Sequence, residues 1–466
     1  MIRENAWKSY TKKQLGEVDA FAEGYIDFIS EGKTERECAK LIAELCEKNG
    51  YKNLDTVIAK KGKLSAGDKV YRVWMNKTVA MFHIGSDPLE NGMNILGAHI
   101  DSPRMDVKQN PLYEKDDFAY LDTHYYGGIK KYQWVAIPLA LHGVIVKKDG
   151  TTVDVCIGED PKDPVFCVSD LLIHLAAEQM DKKAAKVIEG EKLDVIFGSQ
   201  PLAEKAKNAT EKEKEAVKAN VLKLLADTYG VEEEDFISAE IEVVPAGRAR
   251  SCGIDRSMVM AYGQDDKVCA YTSLIAMLEV KKPKKTACTL LTDKEEIGSV
   301  GATGMQSKFF ENTVAEILAA LGEKGELTLR RCLANSSMLS SDVNAAYDPL
   351  YAEAFSKDNA SYFGRGMVFC KFTGARGKSG SNDANAEYIA RIRKMMDDGK
   401  VFYQTAELGK VDVGGGGTIA YILSLYGMEV IDCGVAVLNM HAPWEITSKA
   451  DIYETYKGYK VFLKEA

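Results

Sequence analysis

The sequence predicts an α/β fold in two domains, a helix-flanked sheet interrupted by a β-rich insert, and three observations support this. Apolar, β-branched runs alternate with helix-period segments up to about residue 105 and again from residue 261 to residue 466. Between them, over 106–260, alternating runs such as Val144-Ile145-Val146 and Val153-Asp154-Val155-Cys156-Ile157 read as antiparallel strands. Polar side chains also gather just past the ends of the apolar runs, where open α/β sheets place their ligands. The predicted domains are therefore 1–105 with 261–466, and an inserted domain at 106–260. A chain of 466 residues exceeds what one hydrophobic core usually organises.

The first clear helix follows Thr34-Glu35-Arg36-Glu37, which has the form of a capping box. Cys38, Leu41, Ile42, Leu45 and Cys46 fall at helical spacing behind it, and Gly50 is a natural stop. Lys69–Met75 and Val79–Ile84 read as strands. Asn94-Ile95-Leu96-Gly97-Ala98 is a third, delivering His99-Ile100-Asp101-Ser102-Pro103, with Pro103 ending it. Inside the insert, the charged span Glu204–Tyr229 reads as helix, with Thr210 and Glu213 as a second capping box, and Ala239–Val244 as strand. Beyond it, Lys267–Leu278 and Ala386–Met396 fit helices, and Ala287–Leu291 a buried strand. The run Gly414-Gly415-Gly416-Gly417 lacks the spacing of a phosphate loop. It reads as a turn or as a backbone that closely approaches a ligand.

Composition removes several functions. The chain is 46% hydrophobic and 28% charged with a formal net charge of −9, so no basic field attracts nucleic acid or anionic lipid. No apolar run reaches the roughly 18 residues needed to span a membrane. The ten cysteines are scattered without Cys-x-x-Cys spacing, and the first residues lack an apolar signal core. A reducing, cytoplasmic setting is expected.

Chemistry concentrates around Thr292-Asp293-Lys294-Glu295-Glu296-Ile297-Gly298-Ser299. Neighbouring residues at a strand end point to opposite sides, so one carboxylate of Glu295-Glu296 can hold a metal while the other reaches the water beside it. A lone Glu-Glu is most often a solvated pair and gains meaning only with matching ligands. Of the six histidines, His99 stands two residues before Asp101, which can fix the imidazole tautomer, and His441 lies in Leu438-Asn439-Met440-His441. Asp265-Asp266 precedes a helix, where first-turn acids also serve the helix dipole. Asp342 follows Ser340-Ser341, where a capping role is equally open. Two histidines and several carboxylates without a thiolate suit a pair of divalent cations such as zinc, manganese or cobalt, about 3.5–4 Å apart.

The order His-x-Asp, Asp-Asp, Glu-Glu, Ser-x-Asp and a late Met-His resembles the co-catalytic metallo-aminopeptidases, and within them the M18 family of aspartyl aminopeptidases and their bacterial relatives. The resembling segments are Gly97–Lys108, Tyr126-Gly127-Gly128, Ser169–Leu175, Asp265-Asp266, Glu295–Ser299, Ser341–Pro349, Gly417-Thr418-Ile419 and Asp432–His441. The resemblance implies a zinc-peptidase-like catalytic domain, an open mixed sheet wrapped by helices. It also implies an insert that encloses the active sites of a tetrahedral homododecamer. It implies two divalent ions, most simply Zn2+: His99 and Asp342 on one, Glu296 and His441 on the other, Asp265 bridging, Asp101 orienting His99. Glu295 is the implied general base for removing the N-terminal residue of peptides.

This sequence departs from the aspartyl-specific members at three places. Tyr132 stands where those members carry an insert histidine that reaches a neighbouring subunit, and Ala345 and Asp348 stand where two further histidines are found. Lys371 matches a lysine that receives acidic side chains, and Gly417, in the resembling Gly417-Thr418-Ile419, is with Lys371 and Tyr132 a candidate substrate-binding residue. These departures bear on the preference for an acidic first residue and leave the hydrolytic chemistry intact. Other amide hydrolases, carboxypeptidases or deacylases, use the same scaffold, and a catalytically silent metal-binding assembly protein is the reading from a different class.

Overall fold

The apolar runs pair into one mixed sheet. The computed structural model describes residues 4–202, 215–323 and 325–465. Among these the main sheet comprises β1 (Lys52–Asn53), β2 (Lys69–Trp74), β3 (Thr78–His83), β4 (Met93–His99), β5 (Thr286–Thr292), β6 (Ser337–Ser341), β7 (Met367–Cys370), β8 (Tyr403–Thr405) and β9 (Glu429–Gly434). Their spatial order is β1-β2-β3-β5-β4-β6-β9-β7-β8. The central strands β5, β4, β6 and β9 are parallel, with Thr292 opposite His99, Gly97 opposite Ser340 and Ser341 opposite Cys433. Their carboxyl ends therefore open at one edge, where side chains just past each strand can meet.

Both faces of this sheet are buried, which is why its strands read as continuous apolar runs. Alternate residues serve opposite cores. Tyr71, Met81, Leu96, Leu291, Leu339 and Ile431 belong to one cluster, whereas Val70, Phe82, Ile95, Leu290, Met338 and Val430 belong to the other. Helices Lys12–Glu31, Glu35–Lys48, Gln264–Glu279 and Lys449–Glu465 contribute to the first cluster, and Phe309–Leu321 to the second. The helix Gln264–Glu279 is buried on nearly every side, so it carries no polar stripe. Thr34 forms the expected box, its hydroxyl accepting from Glu37 N at 3.2 Å while Glu37 Oε2 accepts from Thr34 N at 3.0 Å. Asn49 caps the other end, and Gly50 follows with φ +79°.

This sheet and its helices form one unit, Met1–Ser102 with Ala249–Met440 and Trp444–Ala466. A smaller sheet in the same unit joins Arg250–Cys252, Met258–Ala261, Glu445–Ser448, Ala436–Leu438 and Asn344–Ala345. Residues 249–260, whose alternation reads the same as that of the insert, thus belong to this first unit.

The second unit is Pro103–Arg248 with His441–Pro443. Its six-stranded antiparallel sheet runs Thr152–Ile157, Leu139–Val146, Ala239–Pro245, Arg104–Lys115, Phe118–Tyr126, Val195–Gly198. Helix Ala216–Tyr229 ends on Gly230 at φ +63°, a left-handed cap that glycine adopts without strain. It is the described part of the helix expected over 204–229; the capping box expected at Thr210 and Glu213 lies outside the described residues.

Candidate metal centre

At the carboxyl edge of the first unit, His99 ends β4 and is 1% exposed. Its Nε2 lies 3.1 Å from Asp265 Oδ1 and 3.9 Å from Glu295 Oε2. Its Nδ1 faces Asp101, 3.0 Å from the carbonyl oxygen and 3.3 Å from Oδ1. Asp101 does more than the sequence indicates. Its two carboxylate oxygens accept the backbone N–H groups of Glu295 at 3.1 Å and Glu296 at 3.2 Å. The same side chain thus faces the histidine and holds the backbone of the Glu-Glu pair.

Glu295 and Glu296 follow β5 in a single 3-10 turn, Glu295–Ile297, and not in extended strand. The directions of their side chains are therefore set by this turn and not by strand alternation. Lys294 and Gly298 on either side have positive φ, 69° and 94°, which tightens the turn over the strand end. Glu296 comes together with His99 and Asp265, their ligand atoms all lying within 4.8 Å of one another. A second group at the same separation is His99, Asp266 and Asp342. Asp342 follows β6 directly, its N–H bonded to Cys433 O at 2.8 Å.

Asp266 is the member that sequence reasoning missed. Asp265 (φ −77°, ψ 105°) and Asp266 (φ −117°, ψ 25°) are non-helical, and the peptide between them is cis. They precede the regular helix instead of decorating its first turn, so both reach the site. The His99 N–H donates to Asp266 Oδ2 at 3.4 Å, and Asp266 Oδ1 is buried with no hydrogen-bond partner among the described residues. The signal was the doubled aspartate itself, which mirrors Glu295-Glu296.

Electrostatics show what this cluster lacks. Burial, then the neighbouring Asp265 charge, holds the Asp266 carboxyl well above its ordinary value. Burial, then Asp266, Asp265 and Glu295, does the same to Asp342. Burial opposes a charge on His99, yet hydrogen bonds to Asp101 and Asp265 with the Glu295 and Asp101 charges outweigh it and raise its pKa. Buried acids this close together can ionise together only with cations among them. The donors present, one imidazole and several carboxylates, fit zinc, manganese or cobalt. Burial keeps the nearby Cys269 thiol far above its usual pKa, so it offers no thiolate.

The other expected residues divide between the two units. Lys371 follows β7, half exposed, with Nζ 4.0 Å from Asp383. At Gly417 a β-carbon would meet nothing within 4 Å, so the backbone does not require glycine there. Gly415, at φ +125°, does need it, because a β-carbon would sit 2.5 Å from Ala375 Cα. Tyr132 is exposed in the second unit, in the turn Lys131–Gln133. His441 also belongs to the second unit, where its Nδ1 lies 2.8 Å from Gly128 O.

One further carboxyl is relevant to pH dependence. Asp432, on β9 opposite Ser340, is buried, and Thr418 Oγ1 donates to its Oδ1 at 2.5 Å. Burial pushes its pKa from 3.8 up to about 7; the Thr418 bond opposes this and the Glu295 charge adds to it. Between those values the folded protein holds a proton that the unfolded chain has released, so this residue lowers stability as pH rises through that window. Asp432→Asn keeps an acceptor for Thr418. It should shrink the fall in melting temperature between about pH 5 and about pH 7.5. An unchanged slope would mean that Asp432 is ionised throughout.

Comparison with known proteins settles the family. The model of aminopeptidase I zinc metalloproteases, M18, matches residues 28–463. The chain belongs to the M18 family. The Probable M18 family aminopeptidase 1 of Clostridium acetobutylicum is 62% identical over 460 residues, covering 99% of this chain and 98% of that one. The crystal structure of the Thermotoga maritima M18 aminopeptidase superposes with a TM-score of 0.94 at 45% identity, each chain covered in full. The S. cerevisiae mApe1 dodecamer shares the fold at a TM-score of 0.76 and 22% identity, with 97% of each chain covered. The M18 chain described here is a metal-dependent aminopeptidase with the mixed α/β fold of that family. Among its described residues, no helix is long and apolar enough to cross a membrane.

Proposed function

We propose that this M18 enzyme removes the N-terminal residue of peptides at the carboxyl edge of β4, β5 and β6, using two divalent ions, most simply zinc. The observation that carries the reading is His99 at the junction of two ligand groups, one with Asp265 and Glu296, the other with Asp266 and Asp342. In the ligand set proposed, His99 and Asp342 would hold one ion, Glu296 and His441 would hold the other, and Asp265 would be shared between them. When bound, the ions polarise the scissile carbonyl and make water a better nucleophile near neutral pH. Glu295 takes the proton of the attacking water and hands it to the leaving amine. Its Oε2 is 3.9 Å from His99 Nε2, beside the ligands without displacing them. Asp101 keeps the His99 ring and the 295–296 backbone in register. Lys371, Tyr132 and Gly417 are proposed as substrate-side residues.

Comparing a dipeptide anilide with its N-acetylated form tests the substrate class. Cleavage should vanish with the blocked amine. Equal cleavage of both would point instead to a deacylase or endopeptidase.

We propose further that the second unit, Pro103–Arg248, acts as an insert that joins copies of the chain into a tetrahedral dodecamer enclosing the active sites. Support comes from Leu171, Leu172, Ile173 and Leu175, successive apolar side chains exposed on the second unit, and from the dodecameric yeast mApe1. A cytoplasmic location is supported by ten cysteines, none of them joined in a disulfide. Sedimentation of the purified protein should give a single species near twelve chains; a monomer would refute the assembly.

A further inference from the structure

Lys267 is fully buried one residue beyond Asp266, and the catalytic reading leaves it without a task. A buried ammonium costs several kcal/mol unless its protons are used, and a position that only fills space would favour an apolar side chain. Among the described residues Lys267 forms no ion pair. It donates to Ser102 Oγ at 2.7 Å and lies 5.2 Å from the ring centre of Tyr262.

An ammonium has no lone pair, so Ser102 must accept from it. That fixes the direction of the serine's own proton, which goes to the carbonyl oxygen of Asp265 at 2.7 Å. On the other side of the same residue, Glu445 Oε2 accepts the Asp265 N–H at 3.1 Å. Both backbone groups of Asp265 are thus gripped by buried side chains. Gly263 makes room for this. At φ +71°, a β-carbon there would come within 2.6 Å of Lys267 Nζ and 2.7 Å of Ser102 Oγ.

We infer that Lys267 and Ser102 are positioning residues which, with Glu445, clamp the backbone of Asp265 so that its carboxylate stands ready to bridge two cations. The inference rests on the proposed bridging role of Asp265. Lys267 touches neither substrate nor reacting atoms; it acts through Ser102 and the Asp265 carbonyl. Its fixed positive charge also lies on the same short segment as Asp265 and Asp266, where buried acids crowd one another.

The test compares Ser102→Ala, Lys267→Met and Asp265→Asn in the full-length protein. Zinc content is measured under chelator competition, kcat and KM on an aminoacyl anilide, and melting temperature with and without zinc. Ser102→Ala and Lys267→Met should each weaken zinc retention by about 10–100-fold and lower kcat, with KM held within about twofold. Ser102→Ala removes one oxygen and decides the matter if Lys267→Met fails to fold. Loss of melting temperature without loss of zinc affinity or kcat would reduce the pair to ordinary packing and overturn the clamp. Asp265→Asn separates the two claims. If it loses zinc while Ser102→Ala binds normally, the clamp alone fails; if it retains full zinc, the bridging role fails.

Discussion

Replacing Glu295 with Gln leaves a protein that binds its metals and turns over about 10²–10⁴ times more slowly. The amide keeps the volume of the carboxylate and can still sit in the 3-10 turn, because Asp101 holds that turn through the backbone N–H groups of residues 295 and 296. What the amide lacks is a basic oxygen, so proton transfer should fail while the proposed ligands Asp265, Glu296 and Asp342 are untouched. The loss should fall on kcat, with KM moving little. Elemental analysis beside steady-state kinetics checks both halves. Near-normal turnover would remove Glu295 from the role of base, and metal loss would make it a ligand.

His99→Ala should have the other large effect, and of a different kind. His99 belongs to both groups of ligand atoms and also hydrogen-bonds through its backbone N–H to Asp266. Removing the ring takes away the only imidazole of the first unit's cluster and leaves buried acids facing one another. Metal content should fall by at least half and hydrolysis to background. The metal-free form should melt closer to wild type than the zinc-loaded form does, since bound metal stabilises only the folded state that holds it. Full metal occupancy in this variant would contradict the centre as drawn.

Much of the site was legible because the chemistry sits where sequence punctuation is strongest. His99, Glu295, Glu296 and Asp342 each end or follow an apolar run, and parallel pairing brings those run ends together, while Asp265 comes from the start of helix Gln264–Glu279. The capping box at Thr34 and the strands around Ile95 and Leu290 were legible for the same reason, since local pattern and buried face agree. What was hidden depended on backbone conformation. Strand-like alternation suggested opposite directions for Glu295 and Glu296, whose side chains are in fact directed by a 3-10 turn. Asp266 looked like a helix-dipole acid because nothing in the letters reveals non-helical angles at the start of an otherwise helical run. Lys267 was read only as the start of a helix, because burial of an ammonium cannot be seen from spacing. The end of the insert was misjudged because short strands from residues 250 to 261 alternate just as insert strands do.

The proposed ligands come from stretches as far apart as His99 and His441, and Asp342 joins His99 only when β6 settles beside β4. During synthesis from the N-terminus, the growing chain already holds His99, Asp101, Asp265, Glu295 and Glu296 before its last acid emerges from the ribosome. A product terminated early carries the proton acceptor but only part of the cation cradle. On the proposed ligand set, a chain that ends before Asp342 should therefore retain less metal and hydrolyse no peptide.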